Sequence, residues 1–184
     1  MIRILSIDGG GVRGIIPAMM LVEIERRAGI PISQLFDLIA GSSTGGLIAL
    51  TLARPELGGA PTATAEGIAR LYEEFAPAIF QYSRKQWVNS FGNLRKYKYS
   101  DDALNAMLDD YFRDIPLSAA TTEVLITAYE IQRREPWFFR RNKARETFGC
   151  EFSMRDVARA TVAAPTYFVP AAVSQCDSEM FYAL

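Results

Sequence analysis

Apolar residues in the first third of the chain are grouped into runs typical of alternating strands and helices. The apolar, β-branched run Ile2–Ile7 predicts a buried strand, and Phe36–Ala40 predicts a second one. A helix is expected after each strand, first at Ile15–Arg27, where Gly29 stops it, and then at Leu47–Ala53. Two successive strand–turn–helix units indicate a parallel α/β sheet.

The rest of the chain continues this mixed pattern. A loop rich in proline, glycine, alanine and threonine is expected at Pro55–Thr64. Further helices are expected at Ala65–Phe80, Ala103–Phe112 and from Ser153 to Ala164, and further strands at Glu123–Glu130, Pro136–Phe139 and Met180–Leu184. No internal repeat, low-complexity tract or domain boundary is visible in the sequence, so one domain is expected.

Composition narrows the possible partners and the location. The chain has 184 residues, of which 49% are hydrophobic, and its formal net charge is −1. A nearly neutral chain is a poor nucleic-acid binder, because phosphate recognition needs a basic surface. The sequence has no run of about 20 apolar residues that would predict a membrane span. Its N-terminus lacks the apolar core and cleavage site of a signal peptide, so a cytoplasmic location is expected.

The segment Gly41–Gly45 matches the nucleophile-elbow pattern G-x-S-x-G. In this pattern a serine occupies a strained turn between a strand and a helix, whose N-terminus favours developing negative charge. Ser43 is the predicted nucleophile, because Gly41 and Gly45 lie two positions away on both sides. The neighbouring Ser42 lacks this spacing. The alternative is a phosphate-binding or purely conformational turn.

A second glycine turn, Asp8–Gly14, follows the first predicted strand and matches G-x-G-x-x-G. A dinucleotide site is disfavoured, because the second predicted strand ends in Ala40 rather than in an acidic residue that could bind a ribose. The successive amides of Gly9–Gly11 are better suited to an oxyanion hole. Adjacent parallel strands would bring both turns to one edge of the sheet. Arg13 is expected to orient this loop, to meet a phosphate, or to be a plain surface residue.

The chain contains no histidine, so its residues cannot form a Ser–His–Asp triad. A carboxylate is a candidate base if burial raises its pKa from the usual value of about 3.9. Asp8 and Asp37 lie close in sequence to the turns and are expected to accept hydrogen bonds from loop amides, while Asp177 has no assigned role. Cys150 and Cys176 fit neither a disulfide framework nor a zinc site, and no metal or cofactor is expected.

Three motifs give the chain a resemblance to the patatin-like phospholipases. They are SIDGGGVRG at Ser6–Gly14, GSSTGG at Gly41–Gly46 and ARATVAAPTYF at Ala158–Phe168. The resemblance covers essentially the whole chain. It implies a three-layer α/β/α sandwich with a mainly parallel central sheet, and phospholipase A or lysophospholipase activity through a Ser43 acyl-enzyme. It also implies that the first turn supplies the oxyanion hole, here Gly9, Gly10, Gly11 and Arg13.

The same resemblance implies a Ser–Asp dyad, in agreement with the absence of histidine. The aspartate of the family follows the strand that comes after the A-A-P-T-Y-F segment. That strand is the predicted Met180–Leu184, so the aspartate is expected just after Leu184. Residues 1–184 are therefore expected to be a single catalytic domain truncated before the dyad aspartate, and to be inactive by themselves.

The implied substrate is a phospholipid or another glycerolipid. Acyl transfer to an acceptor other than water would use the same intermediate, and a non-catalytic phosphate- or nucleotide-binding α/β module is the alternative outside catalysis. The basic, aromatic stretches Arg84–Tyr99 and Arg133–Arg145 are candidate peripheral membrane contacts. The commoner alternative is a solvated charged face whose aromatic side chains pack in the core. Nucleic acid is not an expected partner.

Overall fold

The computed structural model describes residues 1–56, 63–80, 101–147, 151–174 and 180–183. The strands are β1 (Ile4–Ile7), β2 (Leu38–Ser42), β3 (Glu123–Glu130), β4 (Glu135–Arg140), β5 (Ala171–Ser174) and β6 (Met180–Ala183). The helices are α1 (Ile15–Ala28), α2 (Ile32–Leu35), α3 (Thr44–Leu52), α4 (Ala65–Phe80), α5 (Asp101–Phe112), α6 (Arg141–Glu146) and α7 (Met154–Val162). Short 3₁₀ helices occupy Gly11–Gly14 and Leu117–Ala119.

These strands form one sheet in the order β1-β2-β3-β6-β5, with β4 paired to β3. β1, β2 and β3 are parallel, and the register pairs Ile7 with Gly41 and Ser42 with Thr127. β4 is antiparallel to β3, and β6 is antiparallel to both β3 and β5. The predicted α/β fold is confirmed. The parallel strands bring both glycine turns to the same edge of the sheet.

Helix α3, which directly follows Ser43, is deeply embedded in the core. It is apolar on nearly every side, and eight of its nine residues are buried. It contacts β2 and β3 on the sheet and α7 beyond it. A helix that is apolar all round is stable only when it is enclosed, and Ile39 and Ile126 of the sheet are fully buried in the same core. The elbow therefore lies on a rigid element.

Several predicted features agree with the structure because they depend on local signals. Helix α4 has the predicted limits, Ala65–Phe80. Helix α1 ends where Gly29 adopts a left-handed conformation (φ 70°) and donates its N–H to the Glu25 carbonyl oxygen at 2.8 Å. Ser153 caps α7 by accepting the N–H of Asp156 at 3.0 Å.

Other boundaries differ from the prediction. β2 ends at Ser42 rather than at Ala40, and it begins after Phe36 because that residue ends α2, a short helix that the sequence pattern did not predict. Helix α3 begins at Thr44 rather than at Leu47. Ser43 is therefore the single residue between the end of the strand and the start of the helix.

Smaller differences occur elsewhere. β1 begins at Ile4 rather than at Ile2, and α7 ends at Val162 rather than at Ala164. Helix α6 and strand β5 were not predicted. Some predictions fall outside the described residues, namely Arg84–Tyr99, residues 57–62 of the loop, Cys150, Cys176, Asp177 and Leu184.

Candidate active site

Ser43 forms the junction between β2 and α3. Its backbone has φ 52° and ψ −126°, which is an unusual combination for a residue with a side chain. Such a conformation costs about 1–3 kcal/mol and persists only where its surroundings enforce it. Ser43 is the N-cap residue of α3 and is partly exposed. The turn thus leaves the hydroxyl accessible at the positive end of a helix dipole.

Close backbone packing explains the glycines on both sides of Ser43. A Cβ atom on Gly41 would overlap the carbonyl group of Gly45, and a Cβ atom on Gly45 would overlap the carbonyl group of Ile7. The first contact is between the end of β2 and the first turn of α3, and the second is between α3 and β1. The strained serine is therefore clamped between three elements that approach without side chains.

The first glycine turn lies directly against the elbow. A Cβ atom on Gly9 would lie 2.8 Å from the Cβ of Ser43 and 3.0 Å from the carbonyl oxygen of Ser42, so only glycine fits there. The N–H of Gly10 donates a hydrogen bond to Thr44 Oγ1 at 3.1 Å. The structure therefore joins the two turns that the sequence places 34 residues apart.

The hydrogen bond to Thr44 distinguishes the amides of the first turn. It occupies the N–H of Gly10, whereas the amides of Gly9 and Gly11 have no partner in the part of the chain that the structure describes. Arg13 is exposed, and its Nε donates to the carbonyl oxygen of Gly10 at 3.4 Å, so this side chain orients its own loop. The amides of Gly9 and Gly11 therefore differ from that of Gly10 in forming no hydrogen bond within the described residues.

Helix α7 also contacts the elbow, through Thr161, a residue to which the sequence analysis assigned no role. The N–H of Ser43 donates to Thr161 Oγ1 at 2.9 Å, and that hydroxyl donates in turn to the carbonyl oxygen of Thr127 at 2.7 Å. Thr161 lies within the motif Ala158–Phe168, which pointed to the family without indicating what its threonine contacts.

A cavity of about 480 Å³ opens beside the two turns. Ser43 and the segment Gly10–Arg13 contribute to its wall, and the remainder is mainly apolar, with contributions from Leu47, Leu71 and Met107. Apolar pockets of about 300–1,000 Å³ with a few polar groups are typical of small-molecule sites. This cavity would place an apolar chain next to the serine hydroxyl.

Tyr72 of α4 contributes a titratable group to the same wall. Burial raises the pKa of Tyr72 to about 12, while the nearby hydroxyl of Thr44 acts in the opposite direction. The phenol oxygen packs against Gly14 and has no well-formed hydrogen bond within the described residues. The phenol is therefore neutral at physiological pH.

The carboxylates near the turns do not supply an evident base. Asp37 precedes β2, so it lies at the opposite edge of the sheet from Ser43. It accepts the N–H of Arg3 at 2.7 Å, and this bond lowers the pKa of the Asp37 carboxyl. Asp8 follows β1 and is exposed to solvent. Within the described ranges, no group of three or more His, Cys, Asp or Glu side chains is arranged to hold a metal.

The aromatic residues of the basic stretch Arg133–Arg145 lie on opposite faces of β4. Trp137 packs edge-on against Phe139 and Phe152, whereas Phe138 points the other way and is 47% exposed. The tryptophan thus follows the core-packing alternative, and membrane contact through this stretch stays a prediction. None of the described helices combines the length and the apolar character needed to cross a bilayer.

Fold and site together define an α/β protein with a serine elbow at the carboxyl edge of parallel strands. The sequence model of the patatin-like phospholipases matches residues 5–182 of this chain. The chain therefore belongs to the patatin-like phospholipase family, and the resemblance found in its motifs is confirmed.

Individual relatives agree with this assignment. Patatin-17 of Solanum cardiophyllum is 34% identical over 177 residues, which cover 92% of this chain and 44% of that protein. Patatin-like protein 2 of Oryza sativa subsp. indica is 36% identical over 179 residues, covering 91% of this chain and 44% of the relative. The chain thus spans less than half the length of these relatives.

Among solved structures, VipD from Legionella pneumophila aligns with 98% of this chain and 45% of its own at 14% identity, with a TM-score of 0.48.

Proposed function

We propose that this chain carries the nucleophile and the oxyanion hole of a lipid acyl hydrolase of the phospholipase A or lysophospholipase type. The observation that carries the proposal is the strained Ser43, whose Cβ lies against Gly9 in a turn with available amides. The apolar cavity beside the serine favours a substrate with an acyl chain, and membership of the patatin-like phospholipase family supports a lipid ester.

The geometry suggests how the two turns divide the chemistry. Ser43 Oγ attacks the carbonyl carbon of the ester and gives its proton to a base, and the carbonyl oxygen becomes an oxyanion. The amides of Gly9 and Gly11 donate to that oxygen, and losing one such donor typically costs about 10²–10³ in rate. The intermediate then expels the alcohol, which takes up the proton, and water hydrolyses the acyl-Ser43 ester to release the fatty acid.

The base in this proposal is the dyad aspartate that the family resemblance implies after Leu184. A segment limited to residues 1–184 would then retain the elbow and the oxyanion donors but would lack efficient proton transfer. Hydrolysis of a p-nitrophenyl ester by purified 1–184 tests this directly. Robust turnover that disappears in Ser43→Ala would show that the segment contains its own base.

The proposed substrate is a phospholipid or another glycerolipid, approached at an anionic interface. Exposed Phe138 and the cationic residues around it support peripheral contact, since each Lys or Arg near such a surface contributes about 1 kcal/mol. The stretch Arg84–Tyr99 is proposed to act in the same way. Charge reversal at four residues tests this part of the proposal, namely Arg84, Lys85, Arg95 and Lys96. If the variant binds anionic vesicles as well as the wild type does, this part of the proposal is wrong.

The nucleophile itself is tested by two neighbouring serines in the full-length protein that includes the implied aspartate. Ser43→Ala is expected to lower kcat for ester hydrolysis by about 10³-fold or more, because it removes the attacking group. Ser42→Ala is the matched control, since it deletes an exposed hydroxyl one residue away in β2, and its kcat is expected to stay within about 3-fold of the wild type. Loss of activity in Ser42→Ala with retention in Ser43→Ala would contradict the assignment.

The alternatives make different predictions in the same assays. An acyltransferase would convert the acyl-Ser43 ester into a new ester when an alcohol acceptor is added. A phosphate- or nucleotide-binding module would gain thermal stability from nucleotide and would tolerate Ser43→Ala. The second alternative is less favoured, because the cavity beside Ser43 is mainly apolar and suits an acyl chain better than a phosphate.

A further inference from the structure

We propose that Thr161 is a positioning residue for the nucleophile, and this inference rests on the proposed role of Ser43. Thr161 does not line the cavity, and only 6% of it is exposed. Its hydroxyl nevertheless joins the elbow to the neighbouring strand, through bonds to Ser43 at 2.9 Å and Thr127 at 2.7 Å. Thr161 would therefore act through the backbone of the serine rather than on the substrate.

The position of this hydroxyl in the sheet explains why it is needed. Ser42 and Thr127 form the last register pair between β2 and β3. At the next residue the chain turns sharply, with φ 52° at Ser43, so its N–H leaves the ladder. Thr161 Oγ1 lies between that N–H and the carbonyl oxygen of Thr127. One side-chain oxygen thus extends the ladder by a step that the two backbones cannot make directly.

The chemistry of the hydroxyl fixes the direction of both bonds. An N–H can only donate and a carbonyl oxygen can only accept, so the single hydroxyl proton of Thr161 must point at Thr127. Removing this oxygen would leave a part-buried donor and a part-buried acceptor without this bond. A group of the same shape without the oxygen, such as valine, therefore cannot replace the threonine.

The packing of Thr161 keeps the hydroxyl in place. A Cβ atom on Gly46, in the first turn of α3, would lie 3.0 Å from both Cγ2 and Oγ1 of Thr161. Helix α7 therefore touches the start of α3 through this side chain and bonds to the elbow one turn earlier. These contacts hold the backbone of the elbow, so we expect them to fix where Ser43 Oγ lies relative to the first turn.

Thr161→Val, in the same aspartate-containing protein as Ser43→Ala, tests the proposal by ester hydrolysis. We expect kcat to fall about 10- to 100-fold, since small misplacement of a catalytic group has effects of that size. KM should stay within about 2-fold, because uniform substrate binding is not altered. Thr161→Ser keeps the hydroxyl and should restore kcat to within about 3-fold of the wild type.

Thr122→Val is the matched control. Thr122 is also buried, with 7% exposed, and its hydroxyl donates to the carbonyl oxygen of Phe36 at 3.0 Å, at the opposite edge of the same strands. Its kcat should stay within about 2-fold of the wild type even if its melting temperature falls as much as that of Thr161→Val. Equal kcat in the two valine variants, or no recovery in Thr161→Ser, would overturn the proposal.

Hydrogen exchange on the wild-type protein provides a measurement that needs no variant and no activity. The amide of Ser43 should be protected from exchange, whereas the amide of Gly9 should exchange rapidly. Rapid exchange at Ser43 would overturn the anchoring role even if Thr161→Val failed to fold. Full activity in Ser43→Ala would instead refute the proposed function, and the exchange result would still show whether the Ser43 amide is held in a hydrogen bond.

Discussion

The two glycine turns follow neighbouring parallel strands, but they are built differently. In the elbow, Gly41 and Gly45 are enclosed by backbone atoms, and the N–H of Ser43 is bonded to a side chain. In the first turn, Gly9 packs closely against the elbow, but a Cβ atom on Gly10 would lie 3.6 Å from its nearest neighbour, Arg13 Cβ, which is an ordinary contact. The elbow is thus enclosed at both of its glycines, whereas the first turn is enclosed at Gly9 and open at Gly10. In the proposed function, the enclosed elbow would carry the nucleophile and the first turn would supply hydrogen-bond donors to the oxyanion.

The largest expected effect on the free energy of unfolding comes from adding a methyl group to a glycine of the elbow. The same addition to a glycine of the first turn is the comparison. Gly45→Ala forces a Cβ atom into the carbonyl group of Ile7 and is expected to lower the free energy of unfolding by about 3 kcal/mol or more. Gly10→Ala is the control, because a Cβ atom there would meet only an ordinary contact at 3.6 Å, and it should change stability by no more than about 1 kcal/mol. Urea unfolding measures both. Equal losses in the two variants would show that the turns are packed alike.

A smaller effect is expected at the contact between the turns. Thr44→Val removes the acceptor of the Gly10 N–H and should lower the free energy of unfolding by about 1–2 kcal/mol, because that amide is left partly buried without a partner. Thr44→Ser keeps the oxygen and should lose about 0.5 kcal/mol or less. If Thr44→Val is as stable as Thr44→Ser in urea, this bond does not couple the turns.

The smallest effect at neutral pH is expected for Tyr72→Phe, because the deleted hydroxyl has no well-formed hydrogen bond in the described part of the chain. The free energy of unfolding should change by about 0.5 kcal/mol or less. The difference should appear in alkali. Since burial raises the pKa of Tyr72 from 10.0 to about 12, the unfolded chain loses this proton first, and stability falls as pH rises through that window.

Unfolding in urea at pH 8 and at pH 11.5 checks this sign. The wild type should lose more stability between the two pH values than Tyr72→Phe does, because phenylalanine cannot ionise. Below pH 10 the phenol is protonated in both states, so this residue contributes no pH dependence there. An identical loss in the two proteins would mean that the Tyr72 hydroxyl is not shielded from water.

The sequence predicts the parts of this architecture that have local causes. The strand–glycine–helix repeats indicate the α/β fold, and Gly29 and Ser153 mark helix ends through contacts within one turn. The meeting of the two turns also follows from the sequence, because parallel neighbours share an edge. The predicted start of the second strand at Phe36 was wrong. An aromatic residue at the end of a short helix cannot be distinguished by its apolar character from one in a strand.

The supporting contacts of the elbow could not be predicted in this way. The bond between Ser43 and Thr161 joins residues 118 positions apart, and no spacing rule connects them. The Gly10 amide is bonded because Thr44 lies close to the first turn. Tertiary packing sets this distance, and the sequence pattern does not reveal it. The pattern of glycines thus indicates that a site exists, while tertiary contacts determine which donors remain available within it.

The central claim is that Ser43 presents its oxygen to the amides of Gly9 and Gly11. The structure of the protein in a form that includes the proposed aspartate, after reaction with a fluorophosphonate, tests it most directly, because the bound phosphoryl oxygen mimics the oxyanion. The account predicts a covalent bond to Ser43 Oγ, with the phosphoryl oxygen about 2.7–3.1 Å from one or both of these amide nitrogens. An adduct on Ser42, or a phosphoryl oxygen directed away from the first turn, would contradict it.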